Sequence, residues 1–135
     1  MYFVVDTNVV VSGLLFPKTL PSKSLSIGLI QYKLAISQKV HKEYMDVLTR
    51  KKFDKYITLE QRMSLLDKLL LRSETFLTEE EIKICRDPKD DMFLELAVSA
   101  NAACIVSGDP HLLELHPFRG IPILKPSDFL ENFYK

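Results

Sequence analysis

No apolar run in this chain approaches the ~20 residues that a membrane-spanning helix needs, so a helical anchor within it is excluded. Cysteine is scarce: Cys85 and Cys104 form no CxxC or Cys/His pattern, and a disulfide framework in a small domain would need more of them. Both therefore read as reduced thiols. Net charge is missing too, because 18 Lys and Arg balance 18 Asp and Glu. No overall field announces a nucleic acid or an anionic membrane, so any such binding has to be local. The opening Met1-Tyr2-Phe3-Val4-Val5-Asp6 has no basic leader and reaches a charge at once, which does not fit a secretory signal. These absences lead to the expectation of a cytoplasmic protein. Internal repeats, low-complexity tracts and linkers are also lacking, and 135 residues suit one domain of ordinary size, expected to run over 1–135.

What is present is a globular composition, 47% hydrophobic and 27% charged, which removes the disordered, collagen-like and fibrous classes. Tyr2 to Val5 is a β-branched and aromatic run suited to a strand buried on both faces. A loop containing Pro17 and Pro21 is expected next, then a helix over 24–31, a strand at Leu34-Ala35-Ile36, and Ser37 as a helix cap. Val40, Tyr44, Val47 and Leu48 form the stripe of an amphipathic helix over 38–51. A second runs over 58–72, with Leu59, Met63, Leu66, Leu69 and Leu70 inward. The spacing then predicts a strand at 75–77, a helix over 90–102, a strand over 104–107, a strand at 122–124 and a short helix opened by Pro126. Strands alternating with helices imply a parallel sheet covered on both faces, a three-layer α/β domain.

In open α/β sheets the functional crevice lies beyond the carboxyl ends of the strands. Asp6 ends the first strand, and Asp109 follows the strand over 104–107 after Gly108. Helical geometry nominates two more acids. Glu43 lies three residues after Val40 and four before Val47, so it borders the buried stripe, whereas Asp46 points away. In the Asp87-Pro88-Lys89-Asp90-Asp91 run, Asp90 falls on the face of Phe93 and Ala97, and Asp91, rotated by about 100°, is expected to face out. Desolvating an isolated carboxylate costs several kcal/mol, and no basic residue stands obviously beside these four. Clustered carboxylates also raise one another's pKa, so a divalent cation among them makes physical sense. Oxygen ligands alone point to Mg²⁺ or Mn²⁺ over Zn²⁺. Taken singly, each acid is equally at home as a cap or turn residue.

The run Val4-Val5-Asp6-Thr7-Asn8-Val9-Val10-Val11-Ser12-Gly13 resembles the opening strand of PIN-domain nucleases, in particular their branch of toxin components of toxin-antitoxin pairs. Val40-His41-Lys42-Glu43-Tyr44, the run from Asp87 to Ala97, and Ile105-Val106-Ser107-Gly108-Asp109 resemble that branch's second, third and fourth acidic motifs. The ordered set spans nearly the whole chain. The resemblance implies an α/β/α PIN fold with a mainly parallel central sheet and a metal-dependent cut of single-stranded or structured RNA. It makes Asp6, Glu43 and Asp90 the core ligands of Mg²⁺ or Mn²⁺ and Asp109 a fourth. Thr7, Asn8 and Ser107 take the polar positions beside the ligands, where hydrogen bonds to the backbone or to the ligands are expected. Asp91 stands where relatives often carry Asn, which leaves the choice between Asp90 and Asp91 open; the helical-face reading favours Asp90. An antitoxin protein and a homodimer are the implied partners.

Local positive charge for an RNA is available despite the neutral total. Nine basic residues against three acidic ones lie between Lys18 and Lys55, while Glu74 to Glu95 carries eight acids against three bases. The composition also offers Tyr32, Phe53 and Tyr56 for base stacking, although core or subunit contacts suit them better. His41, His111 and His116 fall in no metal-binding spacing and read as surface or loop residues. Two rival functions remain in view. Mg²⁺-dependent phosphatases of the haloacid-dehalogenase type also begin with a strand ending in Asp, but they need an acid two residues later, where this chain has Asn8. A catalytically silent PIN-like module binding RNA or protein is the other, and the presence of all four acids counts against decay of the site.

Overall fold

A computed structural model describes residues 1–132; the last three positions of the expected domain lie outside the described residues. Five strands, β1 (Tyr2–Val5), β2 (Lys33–Ile36), β3 (Ser73–Thr75), β4 (Cys104–Val106) and β5 (Ile123–Leu124), form one sheet in the order β3-β2-β1-β4-β5. Every pairing is parallel, and helices flank the sheet, as a three-layer α/β reading requires. The helices are α1 (Thr7–Leu15), α2 (Leu20–Gln31), α3 (Gln38–Leu48), α4 (Leu59–Leu70), α5 (Asp91–Ala100), α6 (Pro110–Leu113) and α7 (Pro126–Glu131). Short 3-10 turns at Lys51–Phe53 and Pro88–Asp90 join them.

The central strand carries the logic of the core. Phe3 and Val4 are fully buried between Leu34 on one neighbour and Ile105 on the other, all without solvent exposure. The helices that cover these strands start at side-chain caps: Asp6 accepts from Val9 N–H, Thr19 from Ser22 N–H and Ser37 from Val40 N–H. At α4 Thr58 and Gln61 form a reciprocal capping box. Asn101, in the left-handed region at φ 48°, ends α5.

Several boundaries differ from the expectation. Most of the segment expected as a loop after Asp6 is helical: α1 begins at once and α2 starts at Leu20, not Ser24, so the loop is confined to 16–19 and keeps Pro17 but not Pro21. Val9, Val10 and Val11 are β-branched and poor helix formers, so locally they read as a strand's continuation. Burial of all three and the Asp6 cap override that preference. Pro21 sits in the first turn of α2, where its missing N–H costs nothing. β3 lies two residues earlier than expected, leaving Leu77 87% exposed, and α3 stops at Leu48. On α4, Leu59 is not inward but exposed; Arg62 is buried instead, its guanidinium bonded to Asp54 Oδ1 at 2.8 Å and to the Ile57 carbonyl at 3.0 Å. The four-residue α6 has no counterpart in the expectation.

Candidate functional site

Parallel pairing of β1 with β4 sets Val5 against Val106, so the residues that follow each strand emerge side by side. Asp6, 4% exposed, continues the ladder by donating its N–H to the Val106 carbonyl at 3.0 Å. Its Oδ1 accepts from Val9 N–H at 2.9 Å, and its Oδ2 accepts from the Ser107 hydroxyl. The same Ser107 oxygen accepts from Asp109 N–H at 3.0 Å, so one buried hydroxyl ties both strand ends together. Asp109 in turn caps α6, accepting from His111 N–H at 2.9 Å.

Two other elements bring the remaining acids. Glu43, half-buried on α3, is followed by Tyr44, whose buried hydroxyl donates to the Val5 carbonyl and locks α3 to the end of β1. Asp90 closes the 3-10 turn ahead of α5; Asp87 caps that turn through Lys89 N–H at 3.0 Å. A cleft of about 160 Å³ joins Asp6, Glu43, Asp87, Asp90 and Asp109, with Thr7, Asn8 and Lys89 on its walls. All four acids nominated by the sequence thus face one cleft at the carboxyl end of the sheet. Lys89 is the basic neighbour that the sequence pattern did not reveal.

This concentration of carboxylates has an electrostatic cost. Burial raises the Asp6 pKa, opposed by the hydrogen bonds from Ser107 and Val9 and reinforced by Asp109. Asp90 is pushed up to about 7, first by burial, then by the adjacent Asp109 carboxyl and by Asp87 and Asp6. Its Oδ2 is buried without a hydrogen-bond partner, an atom whose desolvation is uncompensated within the described protein. An oxygen donor set with an unsatisfied buried carboxylate oxygen fits a divalent cation.

Asp91 departs from the expectation that it faces out. It is 8% exposed and accepts from Cys85 N–H at 2.8 Å and Ile84 N–H at 3.2 Å, because the segment before the 3-10 turn folds back against the start of α5. Burial works to raise its pKa, but these donors outweigh it and hold the carboxyl below the ordinary value. Asp91 does not line the acidic cleft. One turn on, Glu95 is also buried, accepting from Ile82 N–H at 2.9 Å with Lys39 Nζ 3.5 Å away. Its spacing of four from Asp91 was the available signal that both acids serve one face.

His111 is the other residue that sequence reasoning set aside. Its Nδ1 lies 4.0 Å from Asp90 Oδ2, and ligand atoms of Asp90, Asp109 and His111 all fall within 4.8 Å of one another. His116 has a structural task, its Nδ1 accepting from Ile123 N–H at 2.9 Å. Tyr32 packs on Phe3 with ring centroids 5.9 Å apart, and Tyr56 meets Phe16 edge-on at 4.9 Å, both as packing contacts.

A family model described as PIN domain matches residues 2–111. An uncharacterized protein of Methanocaldococcus jannaschii is 27% identical over 143 residues, spanning 98% of this chain and 91% of that relative. Among solved structures, a chain of VapBC2 from Rickettsia felis, bound to a DNA fragment from their promoter, shares the fold at TM-score 0.63 and 18% identity. That match covers 93% of this chain and 98% of that one. PAE2754 from Pyrobaculum aerophilum gives TM-score 0.64 at 16% identity over 99% and 90% of the two chains, and FitAcB from Neisseria gonorrhoeae 0.58 at 16% over 93% and 98%. With a family model running from the first strand past the last of the four acids, and with the parallel five-stranded sheet behind it, the chain belongs to the PIN-domain family.

Proposed function

We propose that the protein is a divalent-metal-dependent endoribonuclease, the toxin component of a toxin-antitoxin pair. The observation that carries this reading is the meeting of Asp6, Glu43, Asp90 and Asp109 in one cleft, with a buried Asp90 oxygen lacking any partner. Family membership and the likeness of the motifs to the toxin branch support it.

Asp6, Glu43, Asp90 and Asp109 would hold Mg²⁺ or Mn²⁺. When bound, such an ion offsets the charge that develops on the phosphoryl oxygens and lowers the pKa of a coordinated water. The chain's own residues do the rest. Ser107 and the Val9 amide fix both Asp6 oxygens, so this carboxylate is oriented before any ligand arrives. Ser107 also holds the Asp109 backbone, coupling the two strand ends. The proton released by the attacking water passes to one of the cleft carboxylates acting as general base. Lys89 on the wall, with the basic stretch from Lys18 to Lys55, supplies positive charge for the flanking phosphates.

An antitoxin and a second copy of the chain are the partners of this reading. A largely apolar groove of about 580 Å³ involving Leu14, Leu29, Ile30 and Leu65 supports a protein partner. No described helix is long and apolar enough to cross a membrane.

The test is incubation of the parent and Asp6→Asn with labelled single-stranded and structured RNA, with Mg²⁺ or Mn²⁺ and with chelator. Asn retains the cap on α1, so the variant is expected to fold and to lose cleavage by at least about a hundredfold, as when a coordinating carboxylate is neutralised. Equal cleavage by both proteins removes Asp6 from the site. Absence of cleavage together with absence of calorimetric metal binding favours a catalytically silent module that binds RNA or protein.

A further inference from the structure

Beside the cleft, ligand atoms of two of its acids, Asp90 and Asp109, and of His111 lie within 4.8 Å of one another, and no spacing rule in the sequence points to this imidazole. Asp109 both caps α6 and belongs to this group, and Pro110 at the first helical position fixes the turn that follows it. That local geometry holds His111 in the first turn, where its Nδ1 comes near Asp90. The Nδ1 to Asp90 Oδ2 separation of 4.0 Å is too long for a hydrogen bond. It is, however, within the span of two ligands on one ion, since bonds of about 2.1 Å place such atoms up to about 4.2 Å apart. Asp90 Oδ2 is the same oxygen that is buried without a partner, and Asp90 is 9% exposed. An unsatisfied carboxylate oxygen and an imidazole nitrogen therefore share one small space, with the Asp109 carboxylate on its third side.

We propose that His111 is a nitrogen ligand of the cleft's divalent ion, which gives the site a mixed nitrogen and oxygen donor set and makes it favour Mn²⁺ over Mg²⁺. The inference rests on the reading of the cleft as a cation site. Mg²⁺ keeps to hard oxygen ligands and retains its waters, whereas first-row transition ions accept imidazole readily. Carboxylates alone give no reason for the two ions to part widely in affinity; an imidazole does.

The experiment uses the full chain with Mn²⁺ alone as probe. Pulsed electron paramagnetic resonance of the bound ion is recorded for the parent, for His111→Gln and for His41→Gln, with Mn²⁺ and Mg²⁺ affinities measured by calorimetry. The expected result is coupling of Mn²⁺ to an imidazole nitrogen in the parent and in His41→Gln, its disappearance in His111→Gln, and a loss of Mn²⁺ affinity of about tenfold or more in that variant. Mg²⁺ affinity is expected to change much less. His111 is half-exposed, so the variant is expected to fold, and circular dichroism checks this. Mn²⁺ bound without nitrogen coupling overturns the assignment of His111 while leaving the carboxylate cation site intact. Failure of the parent to bind either ion overturns both.

Discussion

Asp90 carries the clearest consequence at the scale of a single residue. Its carboxyl titrates at about 7 in the folded chain, against about 4 when unfolded. Between those values the folded state holds a proton that the unfolded state has released. Metal-free stability is therefore greatest below about pH 4 in this contribution and declines as the pH rises through 7. Urea midpoints at pH 5 and 7.5 in the presence of chelator measure this: the midpoint is expected to be lower at pH 7.5, and Asp90→Asn to flatten the difference. Binding of the proposed cation would follow the opposite course. A cation competes with that proton, so apparent affinity is expected to fall by up to about tenfold for each pH unit below 7, a slope that titration calorimetry reads directly.

At the scale of elements, close packing of α2 on the central strand makes a second prediction. A Cβ at Gly28 would stand 2.3 Å from Phe3 Cε2, and the Phe3 ring is fully buried with no free direction to move. Ala is the better helix former by about 1 kcal/mol, yet overpacking a core costs about 1–3 kcal/mol, so Gly28→Ala is expected to destabilise the protein on balance. A thermal melt decides which effect wins. The start of α5 makes a third. Asp91 accepts from two backbone amides of the 82–87 stretch and Glu95 from a third. Removing a buried acceptor leaves those donors unpaired at about 1–3 kcal/mol, so Asp91→Ala is expected to loosen that segment. Limited proteolysis is expected to cut the variant there, at conditions under which the parent resists.

The contrast between Asp90 and Asp91 also shows what local pattern can and cannot convey. Helical phase set the two residues on different faces, and in the structure Asp90, at the end of the 3-10 turn, lines the cleft while Asp91 does not. The same phase placed Asp91 in water, because nothing local announces that the chain before it returns to cover it. Glu43 was legible for the first reason, with Val40 and Val47 defining its face. His111 was not, since its partner Asp90 lies 21 positions away by sequence number and no spacing rule connects them. For the fold, β1, β2 and β4 were readable from their apolar runs. α1 was hidden by three consecutive valines whose propensity points the other way.

For the whole molecule, the divalent ion proposed above would act on folding as well as on chemistry. The repulsion that Asp6, Asp87 and Asp109 exert on Asp90 would be relieved by such a counter-ion, and a ligand of the native state alone stabilises it by about 2.7 kcal/mol at a free concentration about 100-fold above Kd. Saturating Mn²⁺ or Mg²⁺ is expected to raise Tm by on the order of 10 °C, and Asp6→Asn to shrink that rise in a paired melt.

The hydroxyl that joins Ser107 to Asp6 closes a span of 101 positions along the chain. Between those ends the route passes through α3, which brings Glu43, and through the turn that brings Asp90. No contiguous fragment shorter than that circuit contains the complete cleft. The first and last of the four acids stand 103 positions apart, so a chain under synthesis has no complete cleft until Asp109 has left the ribosome.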